Sequence, residues 1–536
     1  MRKKRILLCN EASFLNSGYA NYGREILSRL YKTDKYEIAE LGCYGTVNDP
    51  RSKSIPWMYY ANGVDAKDER FKKYKSSPIN QFGHWRFDIV CLDFKPDIVF
   101  DVRDPWMFDF ESSSPLRRFF KWVIMPAMDS IPQKTEWLTS FNTADVLVPY
   151  TLWAKEYLKK FDNLWPKTTP AGINTDIFKP KRNRRTDFGI PQDSFVIGSV
   201  MRNQRRKLIP GLFEVLSKVR EKNSNAILYL HTTFPEMAGW NIPSLLLDFG
   251  ITNYVYFTYK CKSCSHFFPS KFVGPQTFCP KCNNFQCTLS STSDGISDED
   301  LSDIYNMFDL YIQYAVCEGF GMPQIEASAC GVPVMSVDYS AMSEIVRNIG
   351  GYAINLSSLS YEIENHAKRA YPDIGHTVGL INDYISSDVV YKNNKKAEVC
   401  KKTQELYNWD NISKIWEEIF DDIDISSNCN WQEEKQYSLS EKIYINNKLS
   451  NFDLIKDICE NIILDKKLMF TNFIQTTLVE MDYGISRDSN NKIVPFDKNQ
   501  ALEKLEKYAN MKAFIDKLRC SKEKLVEDYI LYAYNK

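Results

Sequence analysis

Residues 317–344 read CEGFGMPQIEASACGVPVMSVDYSAMSE, and this stretch decides how the rest of the chain is interpreted. It predicts a loop containing Gly319 and Gly321, followed by a helix that can begin at a proline, which needs no amide hydrogen in a first turn. Free backbone N–H groups and the positive end of a helix dipole suit a diphosphate. Glu318 and Glu326 flank the start of this helix. Both carboxylates can therefore face one crevice and accept hydrogen bonds from sugar hydroxyls.

Short apolar runs alternate with helical stretches on the amino-terminal side of this loop and beyond it, which is typical of parallel sheets covered by helices on both faces. A stretch rich in proline and basic residues interrupts the alternation at 166–185. We therefore predict an α/β protein with two Rossmann-like domains facing a cleft, an acceptor domain at 1–165 and a donor domain at 166–425. The remaining residues, 430–536, predict a small appended helical domain.

The composition excludes several classes of protein. The chain has 536 residues, of which 44% are hydrophobic, so it can bury large cores and is not disordered as a whole. Its 68 basic and 68 acidic residues cancel, which argues against coating nucleic acid by bulk charge. No apolar run reaches about 18 residues, so we expect no membrane span and a cytoplasmic location, with peripheral membrane contact left open.

A cysteine-bearing segment interrupts the second domain between residues 259 and 293. Two C-x2-C pairs separated by 14 residues predict a structural zinc ribbon with four thiolate ligands: Cys261, Cys264, Cys279 and Cys282. Four protein ligands close the coordination sphere of zinc, so we expect no catalytic metal. Cys287 and His266 are spare donors, interpreted as a core thiol and a surface imidazole.

The 317–344 stretch resembles the E-x7-E motif of retaining glycosyltransferases with the GT-B architecture, specifically glycosyltransferase family four (glycosyl transferases group 1). The small-residue helix and the following G-V-P-V strand are part of this resemblance. It implies that Glu318 orients the sugar of a nucleotide diphosphate sugar and that Glu326 binds the ribose. It also implies that Gly319, Phe320, Gly321 and Met322 contact the donor.

Other blocks follow in the order of that family. NSGYANYGREIL resembles its amino-terminal glycine loop, which would place Gly18 near the donor phosphates, although an ordinary strand-to-helix turn is the alternative. PAGINTDIFKP resembles its signature where the second domain begins. GSVMRNQRRKLIPGLFEVL resembles the block whose basic residues bind the diphosphate, which implies this role for Arg202 and Lys207, with Arg206 beside them. Two such charges would stabilise a departing diphosphate without a metal.

The sequence motifs identify the acceptor-binding residues less clearly than the donor-binding residues. KWVIMPAMDSIP occupies the place where the family often carries a histidine or an acidic residue beside the reacting sugar, and Asp129 is the candidate here. A helix-capping role for Asp129 is an equal alternative. Asp101, Arg103 and Asp104 in FDVRDPWM are weaker candidates for acceptor contacts.

The resemblance implies a reaction in which the acceptor hydroxyl attacks from the face of the leaving diphosphate, and a phosphate oxygen takes its proton. The catalytic candidates are Glu318, Asp129, Arg202 and Lys207, none of them a nucleophile. The expected partners are a nucleotide-sugar donor and a hydroxyl acceptor such as a glycan or a protein. Two alternatives remain: a DNA-modifying glycosyltransferase that grips nucleic acid through its ribbon, and a noncatalytic binding or scaffold protein with this fold.

Overall fold

The computed structural model describes residues 2–68, 70–114, 116–161, 164–291 and 295–428, together with Trp431 and two short strands near the carboxyl terminus. The predicted helical domain at 430–536 lies outside the described residues, apart from Trp431 and these strands, β18 (Ile485–Arg487) and β19 (Ile493–Pro495). Among the helices of the described residues, none combines the length and the apolarity needed to cross a membrane.

The first domain is a six-stranded parallel sheet in the order β3-β2-β1-β4-β5-β6, covered by helices. Its strands are β1 (Lys4–Glu11), β2 (Tyr36–Cys43), β3 (Met58–Ala61), β4 (Ile98–Arg103), β5 (Lys121–Pro126) and β6 (Val146–Leu147). Its helices are α1 (Gly18–Lys32), α2 (Phe71–Ser76), α3 (Pro78–Gln81), α4 (His84–Phe94), α5 (Pro105–Ser112), α6 (Thr135–Thr143) and α7 (Leu152–Leu158). Its central strands are buried almost throughout, as continuous apolar runs in a doubly covered sheet should be.

The second domain is built on a sheet whose parallel part has the order β9-β8-β7-β13-β14-β15. Its strands are β7 (Phe195–Val200), β8 (Ala226–His231), β9 (Val255–Cys261), β10 (Phe267–Lys271), β11 (Gln276–Thr277), β12 (Cys287–Leu289), β13 (Leu310–Gln313), β14 (Val334–Val337), β15 (Tyr352–Ile354), β16 (Leu356–Tyr361) and β17 (Lys368–Pro372). Its helices are α8 (Ile209–Arg220), α9 (Ile242–Asp248), α10 (Asp298–Tyr305), α11 (Met322–Ala329), α12 (Ser340–Asn348), α13 (Ile374–Ser386) and α14 (Val389–Leu406). Short 3-10 turns lie at Pro50–Ser54, Arg117–Phe119, Thr186–Phe188 and Thr252–Tyr254.

The last helix of the described residues, α15 (Trp409–Asp422), packs on the first domain, although the predicted donor domain extends to residue 425. The indole of Trp416 is buried against the ring of Phe100, with centroids 4.4 Å apart, and its Nε1 donates to the Tyr22 hydroxyl at 2.7 Å. The amphipathic pattern of α15 does not say which sheet its apolar face will cover, so the sequence alone did not predict this return.

The chain crosses between the domains in the predicted linker and again before α15, and these two segments lie side by side. The N–H of Ile173 donates to the carbonyl of Tyr407 at 2.6 Å. Gly172 lies against the indole of Trp409 so closely that a Cβ at this glycine would come within 2.5 Å of the ring. The predicted linker and the return to α15 therefore form one joint.

Candidate active site and metal centre

The topology of each sheet defines one crevice at the carboxyl ends of its strands. In an α/β sheet, ligands bind where the strand order reverses direction. That point lies between β1 and β4 in the first domain and between β7 and β13 in the second. The loop after β7 contains Arg202, Arg206 and Lys207, and the loop after β13 contains Glu318. The sequence blocks singled out for the donor therefore converge on one crevice.

Glu318 lies at the centre of the second-domain crevice, buried and triply hydrogen-bonded. Arg206 Nη1 donates to its Oε2 at 2.7 Å, while Lys207 Nζ and Gln313 Nε2 both donate to its Oε1, the latter at 2.9 Å. Burial alone would raise the pKa of Glu318, but the charges of Arg206 and Lys207 lower it to about 2. The carboxylate is therefore ionised at any physiological pH and holds both cations in place.

The backbone fixes these loops to one another. The N–H of Val316 donates to the carbonyl of Arg206 at 3.0 Å, and the N–H of Leu208 donates to the carbonyl of Tyr314 at 3.1 Å. The Glu318 N–H and carbonyl both bond the hydroxyl of Ser340. The basic loop and the glutamate loop therefore form one rigid unit before any ligand arrives.

The glycine loop approaches the first domain closely. A Cβ at Gly319 would lie 3.1 Å from Ala127 Cβ, and Gly321 has a left-handed backbone with φ +94° as it caps α11. The ring of Phe320 is buried between Tyr150 and Tyr407, with centroids 5.8 and 5.9 Å away. Its side chain thus packs across the domain boundary, which leaves its backbone for the donor contact expected of it.

Glu326 lies one turn into α11, which begins at Met322. Its Oε2 accepts a hydrogen bond from the Tyr305 hydroxyl at 2.6 Å. Burial raises the pKa of Glu326 to about 7, and the bond from Tyr305 offsets only part of this rise. Unlike Glu318, this carboxyl is bonded to no cation among the residues that the structure describes, so it can change charge near neutral pH.

Arg202 and Gly18 lie where the two crevices face each other. The Arg202 side chain is half-exposed, with Nη2 3.4 Å from Glu236 Oε1, and its charge lowers the pKa of Glu11 at the end of β1, although burial raises that pKa overall. Gly18 is the first residue of α1, and apart from its chain neighbours and its own helix backbone no heavy atom of the described residues lies within 4 Å of a Cβ built there. The space at the start of α1 is therefore open to a ligand.

The first-domain crevice is acidic. Asp104 accepts a hydrogen bond from the Tyr19 hydroxyl at 2.8 Å, and burial raises its pKa to about 6, helped by nearby Asp129. Asp129 Oδ1 lies 3.1 Å from Arg369 Nη1, and its Oδ2 accepts from the Cys317 thiol at 3.1 Å. Asp129 thus faces the second domain directly, next to the residue that precedes Glu318.

Asp101 and Arg103 do not reach the cleft. Both side chains are fully buried and paired with each other, and Arg103 also pairs with Glu111. The Trp122 Nε1 donates to Asp101 Oδ2 at 2.8 Å. Residues 101 and 103 are two apart on β4, so both side chains point to the same face of the sheet, where Glu111 of α5 and Trp122 cover them. Both residues therefore belong to the core, and the prediction that they contact the acceptor is corrected.

Sequence reasoning missed three residues that contact the site. Gln313 ends β13, where its amide reaches Glu318, and its polar side chain at the end of an apolar strand was an available signal. Tyr305 ends α10 and binds Glu326, but nothing in its local sequence distinguishes it from a core tyrosine. Arg369 belongs to the β16–β17 hairpin, which reaches the first domain through the Lys368 N–H and the Ile131 carbonyl, 2.8 Å apart.

The four predicted zinc ligands come together. Their Sγ atoms all lie within 4.8 Å of one another, with 3.6 Å between Cys261 and Cys282 and between Cys264 and Cys279. Cys287 is buried beside them in the β9–β12 ladder, and His266 stacks on Phe268. Neither belongs to the cluster of four.

The two C-x2-C turns have the same backbone structure. In each, the first cysteine N–H donates to the carbonyl five residues on, and its own carbonyl accepts from the N–H four residues on, all at 2.9 Å. The fourth residue after the first cysteine, Ser265 or Asn283, has a left-handed backbone. Such a repeat aims four thiols at one point, and this set of soft ligands fits a tetrahedral zinc ion.

Solved structures share this arrangement of domains. Sucrose-phosphate synthase from Thermosynechococcus elongatus is 15% identical, with a TM-score of 0.57 over 78% of this chain and 98% of that one. Anabaena HepE in complex with UDP and glucose is 13% identical, with a TM-score of 0.55 over 78% and 100%. A trehalose-6-phosphate protein from E. coli, bound with UDP-2-fluoro glucose, is 11% identical, with a TM-score of 0.52 over 79% and 100%. No curated protein matches the sequence.

The chain has the GT-B fold. Residues 293–357 also match the family described as Glycosyl transferases group 1, and this segment contains both Glu318 and Glu326. The resemblance seen in the sequence is thereby confirmed, and the match and the GT-B fold together support glycosyl transfer from a nucleotide sugar.

Proposed function

We propose that the protein is a retaining glycosyltransferase that moves a sugar from a uridine diphosphate sugar to a hydroxyl acceptor, with a structural zinc ion in its ribbon. The observation that carries this proposal is the Glu318 network, in which Arg206 and Lys207 lie at the switch point of the second sheet beside the start of α11. Uridine is favoured as the nucleotide because two of the three similar structures named above were obtained with UDP or a UDP sugar.

The roles follow from charge and position. Arg202, Arg206 and Lys207 would bind the diphosphate and stabilise the charge that develops on it as the glycosidic bond breaks. Glu318 would orient the sugar and Glu326 the ribose. The acceptor hydroxyl would attack from the side of the first domain, near Asp129, and its proton would pass to an oxygen of the leaving diphosphate. No residue is assigned as a nucleophile, because Asp129 is already paired with Arg369.

The test is a donor screen. Purified protein is incubated with uridine, guanosine and adenosine diphosphate sugars, and released nucleotide and transferred sugar are detected by mass spectrometry. We expect turnover of a UDP sugar that Glu326→Ala abolishes, while Glu214→Ala on the exposed face of α8 leaves it unchanged. Turnover by Glu326→Ala equal to that of the wild type would contradict the assignment. An α-linked product from an α-linked donor, read from the anomeric proton by NMR, would establish retention.

A DNA acceptor is a second candidate because of the surface of the ribbon. Residues 258–293 contain four lysines and no acidic residue, and the rings of Phe278 and Phe285 are exposed on the same segment. Basic groups and exposed aromatic rings are the components of nucleic-acid binding surfaces. Duplex binding that weakens steeply with salt would favour this acceptor, and no binding at low salt would remove it.

A further inference from the structure

The ribbon is an extension of the donor domain's own sheet. The first half of β9, Val255–Phe257, pairs in parallel with β8, and its second half, Tyr259–Cys261, pairs with β12 of the ribbon. The first zinc ligand, Cys261, is the last residue of this strand. The cysteine cluster is therefore joined to the sheet that carries the proposed donor crevice, with no linker between them.

One ribbon side chain reaches the loop that follows β8. Phe272, directly after β10, makes edge-to-face contacts with Phe257 at 5.7 Å and with Phe234 at 5.8 Å between centroids. Phe234 belongs to residues 232–240, which we call the β8 loop. At the end of β8, directly before this loop, His231 Nδ1 lies 2.9 Å from the hydroxyl of Thr258 in β9.

The β8 loop in turn holds the basic loop after β7. Asn203 and Trp240 exchange two hydrogen bonds, Nδ2 to the Trp240 carbonyl at 2.9 Å and the Trp240 N–H to Oδ1 at 2.8 Å. The Trp240 Nε1 donates to the Lys207 carbonyl at 2.7 Å. A Cβ at Gly239 would lie 2.5 Å from the Asn203 carbonyl oxygen, so the two loops are packed at backbone contact.

These contacts form a continuous path from the cysteine cluster to the cations of the donor crevice. We infer that metal bound in the ribbon sets the affinity for the nucleotide donor, with Phe272 as a positioning residue that holds Phe234 and the β8 loop against Arg202 and Lys207. This inference rests on the proposed function. Without metal, the four thiols no longer fix the ribbon, Phe272 loses its support, and the β8 loop is free to move away from the basic loop.

The first experiment varies the metal. Zinc content is measured by mass spectrometry, and the dissociation constant of UDP is measured by calorimetry on loaded protein, on protein dialysed free of zinc and chelator, and after zinc is returned. We expect UDP to bind about three- to tenfold more weakly without zinc, the range that the loss of a buried aromatic contact gives, and to regain its affinity with zinc. Equal affinity in all three samples would overturn the inference.

The second experiment breaks the path with zinc in place. Phe272→Ala and Phe234→Ala each remove one of the two rings that form the contact. Because Phe234 lies outside the ribbon, its replacement leaves the metal site intact. Val273→Ala is the matched control, since that side chain follows Phe272 directly in the chain and is exposed at 56% on the same ribbon. We expect each test variant to bind UDP more weakly, the double variant to be no worse than either single one, and the control to match the wild type.

Turnover separates positioning from general damage. A positioning role predicts a raised KM for the donor and an unchanged kcat in Phe272→Ala, whereas a disturbed fold lowers kcat as well. A zinc-loaded Phe272→Ala protein with wild-type UDP affinity, or a control weakened equally, would refute the inference. The proposed function fails separately, if wild-type protein binds no nucleoside diphosphate at all.

Discussion

The two domains share a sheet topology, but their crevices carry opposite charge. At the carboxyl edge of the second sheet, Arg206 and Lys207 bond one ionised glutamate, and Arg202 lies on the same loop. At the same edge of the first sheet, Asp104 and Asp129 face the cleft. An anionic diphosphate fits the first arrangement, and an uncharged, hydroxyl-bearing acceptor fits the second. The same backbone plan can therefore assign two substrates to opposite sides of one cleft through side chains alone.

The largest effect should come from removing a cation on the basic side. Lys207→Met keeps the length of the side chain but removes one of the two cations bonded to Glu318 and leaves the bonds from Arg206 and Gln313. Because the ammonium would stabilise charge on the leaving group, we expect kcat/KM for the donor to fall by about 10²–10³. Steady-state kinetics measures this, with Lys218→Met on the exposed face of α8 as control. A loss below threefold would mean that the basic crevice does not bind the diphosphate.

A smaller effect should come from changing the pH, which titrates Glu326 in the second domain. Burial raises the pKa of Glu326 to about 7, above its value in an unfolded chain, so this carboxyl is mostly protonated at pH 6 and ionised at pH 8. Only the ionised form accepts hydrogen bonds from both ribose hydroxyls. We therefore expect the affinity for a UDP sugar to fall about tenfold from pH 8 to pH 6, as one proton linked to binding requires.

Calorimetry with UDP-glucose checks this prediction, since its diphosphate does not titrate in this interval. Glu326→Gln should show a flat profile. Glu318 cannot produce the effect, because its neighbours hold its pKa at about 2. A wild-type profile as flat as that of the variant would remove Glu326 from the ribose site.

The smallest effect should appear on the acidic side. Asp104→Asn removes a charge but keeps an oxygen that can accept the bond from Tyr19. We expect the KM for the acceptor to rise about three- to tenfold while the affinity for the donor stays the same, since the change touches ground-state acceptor binding. Asp109→Asn, on the exposed side of α5, is the control. An equal loss of donor affinity would show that the two crevices are not functionally separate.

Much of the fold follows from the sequence because its signals are local. Alternating apolar runs and helices gave two Rossmann-like domains, and the spacing of Cys261, Cys264, Cys279 and Cys282 gave the cluster that the structure assembles. Short or exposed strands were harder to predict from the sequence. Strand β3 is only four residues long, and the β16–β17 hairpin is polar along most of its length, so neither has a strong apolar pattern.

The residues of the candidate site also differ in how well the sequence predicts them. Glu318 and Lys207 lie in motifs that can be recognised, but their mutual contact joins residues 111 positions apart and depends on how two loops pack. Arg369 reaches Asp129 only because the hairpin crosses to the other domain. The burial of Asp101 and Arg103 was also hidden, because a charged pair in a motif-like loop is indistinguishable in sequence from one that faces a cleft.

The position of α15 has a consequence for how this chain is made. Tyr22 and Phe100 belong to the first hundred residues, yet the indole that covers them is at position 416. During synthesis, which proceeds from the amino terminus at roughly 5–20 residues per second, an apolar face of the first domain stays uncovered until the ribosome has passed residue 416. A fragment cut at residue 165 would keep that face in water, so we expect it to aggregate where the full chain does not.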